Sequence, residues 1–338
     1  MRPRTAQCPA VAALWVGPLI ALHLLLAMPQ PVAHAQSPQQ SEHVTPLPES
    51  SQARVRRDRI AAARSWRYQL RRLDVEAIAG SDADLLVIDY APDRWDGVER
   101  PFQRADVTRM RQRPDGGRRT LLAYLSIGEA ERYRTYWNNA WYEPPTRPHW
   151  LLPPNPKWDG NFPVRFWDPD WQRIVYGEPE AYLDRIVAAG FDGVYLDRAD
   201  VFQELRSSYP RAESEMVRFL SRLAAHARRL EPSFLIVMQN AEELLAHAAV
   251  ADALDAVAKE DLLYGVDHDE KANAPGLVSG SLTYLRRARK RGLPVLAVEY
   301  LSEPAIARAA RQRLVGYGFL PLIAERSLGT LDFMPLQR

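Results

Sequence analysis

Eight short apolar runs separated by longer amphipathic stretches constrain this chain more than any other feature. They are Leu85–Tyr90, Leu121–Ile127, Val164–Trp167, Gly193–Asp197, Leu235–Gln239, Ala256–Glu260, Val295–Tyr300 and Gly318–Ile323. Most are apolar without strict alternation, the pattern of strands covered on both faces. The stretches between them read as helices over Asp170–Ala189, Ala212–Leu230, Ser279–Arg291 and Glu303–Val315, three of which stop at a glycine and the other just before Pro232. Strands alternating with helices predict a parallel sheet with crossover helices, and eight repeats close naturally into a single (β/α)8 barrel. An open doubly wound sheet is the alternative; no strand here is followed by a phosphate-binding glycine loop.

The barrel is expected within residues 54–338, mainly Asp84 to Leu331. Ala53–Ala79 is expected as an extra helix outside it, with Ile60, Trp66, Leu70, Leu73 and Ile78 as its apolar points. Ahead of it, residues 36–53 are rich in Ser, Pro and Gln and read as a flexible linker. Residues 1–35 carry the marks of a secretory signal: Arg2 and Arg4, an apolar run from Val11 to Met28, and Ala33-His34-Ala35 as a cleavage site. The mature chain would then begin at Gln36 and be secreted or periplasmic, with no membrane association after cleavage. An uncleaved anchor is the alternative.

Charge and cysteine content narrow the chemistry. The 44 basic and 42 acidic residues give a net charge of +2, which does not call for nucleic acid as a partner. The single cysteine, Cys8, lies before the apolar run, so a mature chain has no disulfide, zinc-thiolate site or cysteine nucleophile. Of seven histidines, three lie in the signal or linker, and no H-x-H or H-E-x-x-H motif exists. No cofactor is expected, although an all-oxygen magnesium site stays open.

In a barrel, function gathers where strands end. Asp89, Glu129, Asp168, Asp197, Asn240, Glu260 and Glu299 lie at or just beyond such ends. An acidic mouth suits glycoside hydrolysis by paired carboxylates, or divalent metal binding. Asp197 ends the fourth run and Glu260 the sixth. Strands of equal parity feed one layer, so both can reach one cleft. The alternatives are a helix cap for Asp197 and an arginine salt bridge for Glu260. Asp192 precedes its strand and belongs to the opposite face, as a turn residue.

The segment FDGVYLDRAD (Phe191–Asp200) resembles the endo-alpha-1,4-polygalactosaminidase-like glycoside hydrolases, a family of mostly exported barrels. LLVIDY, YLSIGEAERYR (Tyr124–Arg134), QNAEELL (Gln239–Leu245), AKEDLLYG (Ala258–Gly265), VLAVEYL and GFLPLIAERSL (Gly318–Leu328) match as well. The resemblance implies a glycosidase of an amino-sugar polysaccharide with Asp197 as nucleophile and Glu260 as general acid/base. It also implies retention of configuration, for which the two carboxyls would be ~5–5.5 Å apart. Asp89, Tyr90, Tyr124, Glu129, Asn240, Tyr264 and Glu299 fall on matched segments and are expected to bind substrate. Asp89 and Tyr90 would form the cleft floor. Glu129 would meet sugar amines or hydroxyls, unless Arg132 or Arg134 takes it. Glu299 is the reserve catalytic acid. The fourth and sixth motifs depart from the family's more usual DGVEPDN and NEQC, towards a bacterial side branch, so hydrolase chemistry is better supported than galactosamine specificity.

Trp137, Trp141, Trp150, Trp158 and Trp167 crowd one insertion. They would wall the cleft or be buried under a Pro-rich loop. The expected partner is a polysaccharide, and the expected state a monomer. The competing functions are a barrel that binds carbohydrate without turnover and a metal-dependent esterase or deacetylase.

Overall fold

A computed structural model describes residues 49–92 and 99–331. The signal and most of the linker lie outside these residues. The linker expectation overruns at its end, because Glu49–Ala61 is already helical.

Eight parallel strands form one sheet in chain order: Trp66–Gln69, Leu85–Ile88, Thr120–Ser126, Gly193–Asp197, Leu235–Gln239, Ala256–Glu260, Val295–Tyr300 and Leu320–Ala324. Helices cover the outside, and the architecture is a (β/α)8 barrel. The seam between the last and first strands is closed by the Trp66 indole, which donates to Leu320 O (3.0 Å), and by Leu70 N donating to Leu328 O (2.9 Å). Pro321 sits in the last strand beside this seam, where a missing N–H is tolerated.

Two strand assignments differ from the sequence-based expectation. The expected helix over Ala53–Ala79 ends at Ala61, and Trp66–Gln69 is the first barrel strand. Trp66 and Tyr68 alternate into the barrel interior, as aromatic strand residues do. Their spacing from Ile60 and Leu70 also matched a helical repeat. Val164–Trp167 is not a barrel strand. Asn161–Pro163 instead pairs antiparallel with Glu129–Glu131, and Val164 bridges to Leu151. Arg165 is exposed between buried Val164 and Phe166, so the run has one wet face and cannot be covered on both. One strand was missed and one miscounted, so Asp197 still ends the fourth strand and Glu260 the sixth. The expected helix Asp170–Ala189 is two helices, Pro169–Val175 and Tyr182–Ala189, separated around Gly177 (φ 99°) and Pro179.

Alternation divides the apolar residues into two cores. Leu85, Val87, Leu122, Tyr124, Tyr195, Val237, Ala258, Val298 and Tyr300 fill the barrel, whereas Leu86, Ile88, Val194, Leu196, Met238 and Ala297 face the helices. Ile60 of the N-terminal helix belongs to the inner set. That helix is anchored by Arg56 to Asp255 (2.9 Å) and by Arg59 to Asp192 (2.6 Å), the acids preceding strands six and four.

Candidate active site

Inward alternation sets the centre of the site. Asp197 follows Tyr195 by two residues and Glu260 follows Ala258 by two, so both carboxylates continue inward-facing rows into the C-terminal mouth. Both stay partly exposed, and both line an open cleft of about 860 Å³.

Neutral donors hold each carboxylate. The Tyr124 hydroxyl donates to Asp197 Oδ2 (2.7 Å) and Gln239 Nε2 to Oδ1 (3.0 Å). Asn240 Nδ2 donates to Glu260 Oε1 (3.0 Å) and the Tyr300 hydroxyl to Oε2 (3.0 Å). Among the described residues neither carboxylate has an Arg or Lys ion-pair partner. Burial, and then the nearby charge of Glu260, push Asp197 up to about 7. Burial, and then Asp261, push Glu260 upward. Both carboxyls therefore keep their protons to higher pH than an ordinary acid does. Tyr124 and Tyr300 are raised far above the ordinary phenol range, chiefly by burial, and stay protonated as donors.

The strands turn sharply just beyond these groups. Arg198, Asn240 and Asp261, the residues following strands four, five and six, all have left-handed backbones (φ 60°, 55° and 51°). Each costs ~1–2 kcal/mol for a residue with a Cβ. Each is held by its own side chain: Arg198 to Glu204 (2.6 Å) and Glu129 (3.0 Å), Asn240 to Glu260, and Asp261 to Arg326 (3.0 and 3.1 Å). Gly128 is required nearby, because a Cβ there would lie 2.1 Å from Arg198 O.

The other expected site residues divide by strand parity. Asp89 and Tyr124 face the cleft. Arg134 grips Asp89 with two bonds (2.7 and 2.9 Å) and also meets Glu131 (2.7 Å) and Glu99 (3.1 Å). Glu129 lines the cleft but is buried, held by Asn155 (2.7 Å) and Asn161 (3.1 Å) with Arg198 as its cation rather than Arg132 or Arg134. Asn240 is in the cleft, bound to Glu260.

Tyr90, Tyr264 and Glu299 are not. Tyr90 follows inward Asp89 by one position, so it points to the outer core and packs against Tyr182 and Phe191. Tyr264 packs against that same core. Glu299 is fully buried on the outer side of strand seven, accepting from Leu263 N (2.8 Å) and Tyr264 N (3.1 Å), and burial drives it up to about 8. It anchors a loop. Asp168 caps the helix Pro169–Val175, accepting from Asp170 N (2.9 Å).

Several cleft residues were not anticipated: Tyr68, Gln239, Tyr300 and Arg326. Tyr300 and Gln239 ended strands already recognised in the sequence, and alternation from Val298 and Val237 marks both as inward. The tryptophan cluster splits. Trp137, Trp141 and Trp150 pack edge-to-face with one another, Trp137 stacks on Phe162, Trp150 meets Trp171 at a tilt, and Trp167 stacks on Tyr209 at 4.1 Å. Trp158 alone of the five lines the cleft, 55% exposed.

Charge in the cleft is unbalanced: eight carboxylates line it against four arginines. Among the described residues no group of three or more His, Cys, Asp or Glu side chains is placed to hold a metal ion.

The sequence profile of glycoside-hydrolase family GH114 matches residues 47–336. The chain belongs to this family. As a GH114 member it is a glycoside hydrolase, in keeping with the resemblance to polygalactosaminidase-like enzymes. An uncharacterized protein of Deinococcus radiodurans is 35% identical over 322 residues, covering 93% of this chain and 98% of that one. An uncharacterized protein of Thermotoga maritima is 32% identical over 259 residues, covering 75% and 76%. Among solved structures, the glycoside hydrolase domain of PelA from Pseudomonas aeruginosa shares the GH114 chain's barrel fold, with a TM-score of 0.60 at 21% identity, over 80% of this chain and 98% of that one.

Proposed function

We propose that the chain is an exported, retaining glycosidase of an amino-sugar polysaccharide, with Asp197 as nucleophile and Glu260 as general acid/base. The observation that carries this is the pairing of two inward carboxylates, each held only by neutral donors, in an open cleft with a surplus of acid. A polymer bearing free ammonium groups suits that surplus, because like-signed polymers would be repelled.

In the first step the Asp197 carboxylate attacks the anomeric carbon, the bond from that carbon to the glycosidic oxygen breaks, and Glu260 gives its proton to the departing oxygen. In the second, water attacks the anomeric carbon, Glu260 takes the water's proton, and the ester bond to Asp197 breaks. Two donors on each carboxylate fix its position, and burial holds the proton on Glu260 to higher pH, which supplies the acid for the first step. Asp197 must be ionised to attack and is pushed up to about 7, which predicts that turnover falls as pH drops below that value.

The test is release of reducing ends from an α-1,4-linked galactosamine polymer and from its fully N-acetylated form, with and without chelator. Release only from the polymer with free amines, unaffected by chelator, is expected. Azide added to Asp197→Ala should give a glycosyl azide of inverted configuration, and azide added to Glu260→Ala one of retained configuration; the reverse outcome exchanges the two roles. Dependence on the chelated ion would instead favour the esterase or deacetylase reading. Export is checked by sequencing the N-terminus of secreted material, with Gln36 expected.

A further inference from the structure

Glu260 is reached by charged and polar groups from every strand packed around it. Tyr68 comes from the first strand, and Tyr195 and Asp197 from the fourth. Asn240 follows the fifth, Lys259 and Asp261 flank Glu260 on the sixth, and Tyr300 ends the seventh. One cation joins two of these. The Arg326 guanidinium makes a two-bonded pair with Asp261 (3.0 and 3.1 Å), reaches Asp269 through Nε (2.7 Å), and lies 4.5 Å from the centre of the Tyr300 ring. It is half-buried at the cleft wall, after the eighth strand.

We propose that Arg326 is a positioning residue for Glu260, fixing the Tyr300 hydroxyl by stacking on its ring and neutralising the Asp261 carboxylate beside it. The inference rests on Glu260 being the proton donor, and names the group that sets where and when it donates. The fork geometry matters, since a planar guanidinium can pair with a carboxylate and cover an aromatic face at once, whereas an ammonium is a single point charge. Asp261 sits on a left-handed backbone directly after Glu260, and the Arg326 fork places its carboxylate there. Without Arg326 only the charge of Lys259 is left to offset it, next to a group that burial already pushes towards its protonated form.

The test compares kcat and the pH profile of kcat/KM for Arg326→Ala, Arg326→Lys, Asp261→Asn and the double variant Arg326→Ala/Asp261→Asn, on the polymer that the wild type cleaves. Because the donor must be protonated, raising its pKa moves the alkaline limb to higher pH. Arg326→Ala should move that limb up by about one pH unit, the low end of what one neighbouring charge does, and lower kcat ~10-fold or more through misplacement of Tyr300. Arg326→Lys should leave the limb in place and still lower kcat. Asp261→Asn should move the limb down, and in the double variant should bring it back towards the wild-type position. A purely structural role would not produce that reversal. An unmoved limb in Asp261→Asn overturns the proposal, even where Arg326→Ala does not fold. So does a rise in KM alone in Arg326→Ala, which would mark a substrate contact. Glu260→Gln is run alongside: if it keeps wild-type turnover, the assignment of Glu260 as proton donor fails instead.

Discussion

Strands four and six each carry an acid near both ends, and the two ends are treated oppositely. At the N-terminal face, Asp192 is met by Arg59 (2.6 Å), Arg111 and Arg118 (3.5 Å), and accepts from Leu121 N (2.9 Å). Asp255 is met by Arg56 and Arg228 (both 2.9 Å) and accepts from Ile236 N (2.9 Å). At the C-terminal face, Asp197 and Glu260 are met by Tyr124, Gln239, Asn240 and Tyr300. All four acids are shielded from bulk water to some degree. The difference is what compensates them. Arginines fix a carboxylate in an ion pair, which suits an anchor, even where burial still pushes it upward as at Asp192. Neutral donors fix its position without an opposing charge, so burial and a neighbouring acid raise Asp197 and Glu260, which suits proton exchange.

Substitutions at the two ends should therefore separate activity from stability. The largest effect is expected for Asp197→Asn. It should lower kcat by ~10⁴-fold or more, the scale seen when a catalytic unit is broken, while leaving the near-UV circular dichroism unchanged. Its stability should move the other way. A folded-state pKa of about 7 lies above the ordinary carboxylate value, so the fold takes up a proton there. The stability this provides is full below the unfolded pKa near 4 and is lost as pH rises through 7. Asp197→Asn removes that decline, so thermal melts at pH 8 should show a higher Tm than wild type. A lower Tm at pH 8 would place Asp197 with the anchors.

Asp255→Asn should behave in the opposite manner. Arg56 and Asp255 are 4% and 0% exposed, so the change leaves a buried guanidinium, and the part-buried Arg228, without their counter-charge. A loss of ~3–5 kcal/mol is expected in urea unfolding, the range for breaking a buried ion pair, with kcat of the remaining folded protein unchanged. A drop in kcat without loss of stability would contradict the division.

Glu299→Gln sharpens the comparison within the C-terminal face. Glu299 lies near the same mouth but on the outer side of its strand, accepting from two backbone N–H groups. Glutamine offers one acceptor in place of two, which should cost ~1–3 kcal/mol of stability for the unmatched donor. Turnover should stay within a few-fold of wild type; its abolition would return Glu299 to the catalytic pair in place of Glu260. The smallest effect is expected for Trp158→Ala. Loss of an exposed aromatic face from the cleft should raise KM for a long polymer by ~2- to 10-fold, the scale of ~0.5–1.5 kcal/mol for an aromatic contact, without changing kcat. An unchanged KM would make Trp158 a surface residue with no share in binding.

The site was legible where residue type and position agree. FDGVYLD and AKE end strands with an acid two places after an inward-facing residue, and both acids reach the cleft. Legibility failed where residue type was weighed above alternation. Residue type groups Tyr90 with Asp89 and favours Glu299 over Tyr300, whereas adjacent strand residues must face opposite sides. It failed differently at Trp66–Gln69. Four residues with two aromatics fit a helix or a strand, and only pairing with Leu85–Ile88 selects the strand.

What the sequence determined by itself is the repeat of buried strands and helices, the barrel that follows from it, and the acids at the strand ends. These depend on local pattern, because a strand covered on both faces must be apolar whatever its neighbours are. Which acid is gripped by arginines and which is held by neutral donors in the cleft was decided only by the tertiary structure. That distinction depends on what stands opposite each carboxylate, and the partners come from far along the chain: Arg56 for Asp255, 199 positions away, and Tyr300 for Glu260, 40 positions away. No local pattern encodes those distances. Closure of the barrel brings the partners together, and their charge or neutrality decides whether an acid is pinned in an ion pair or held by neutral donors at the mouth.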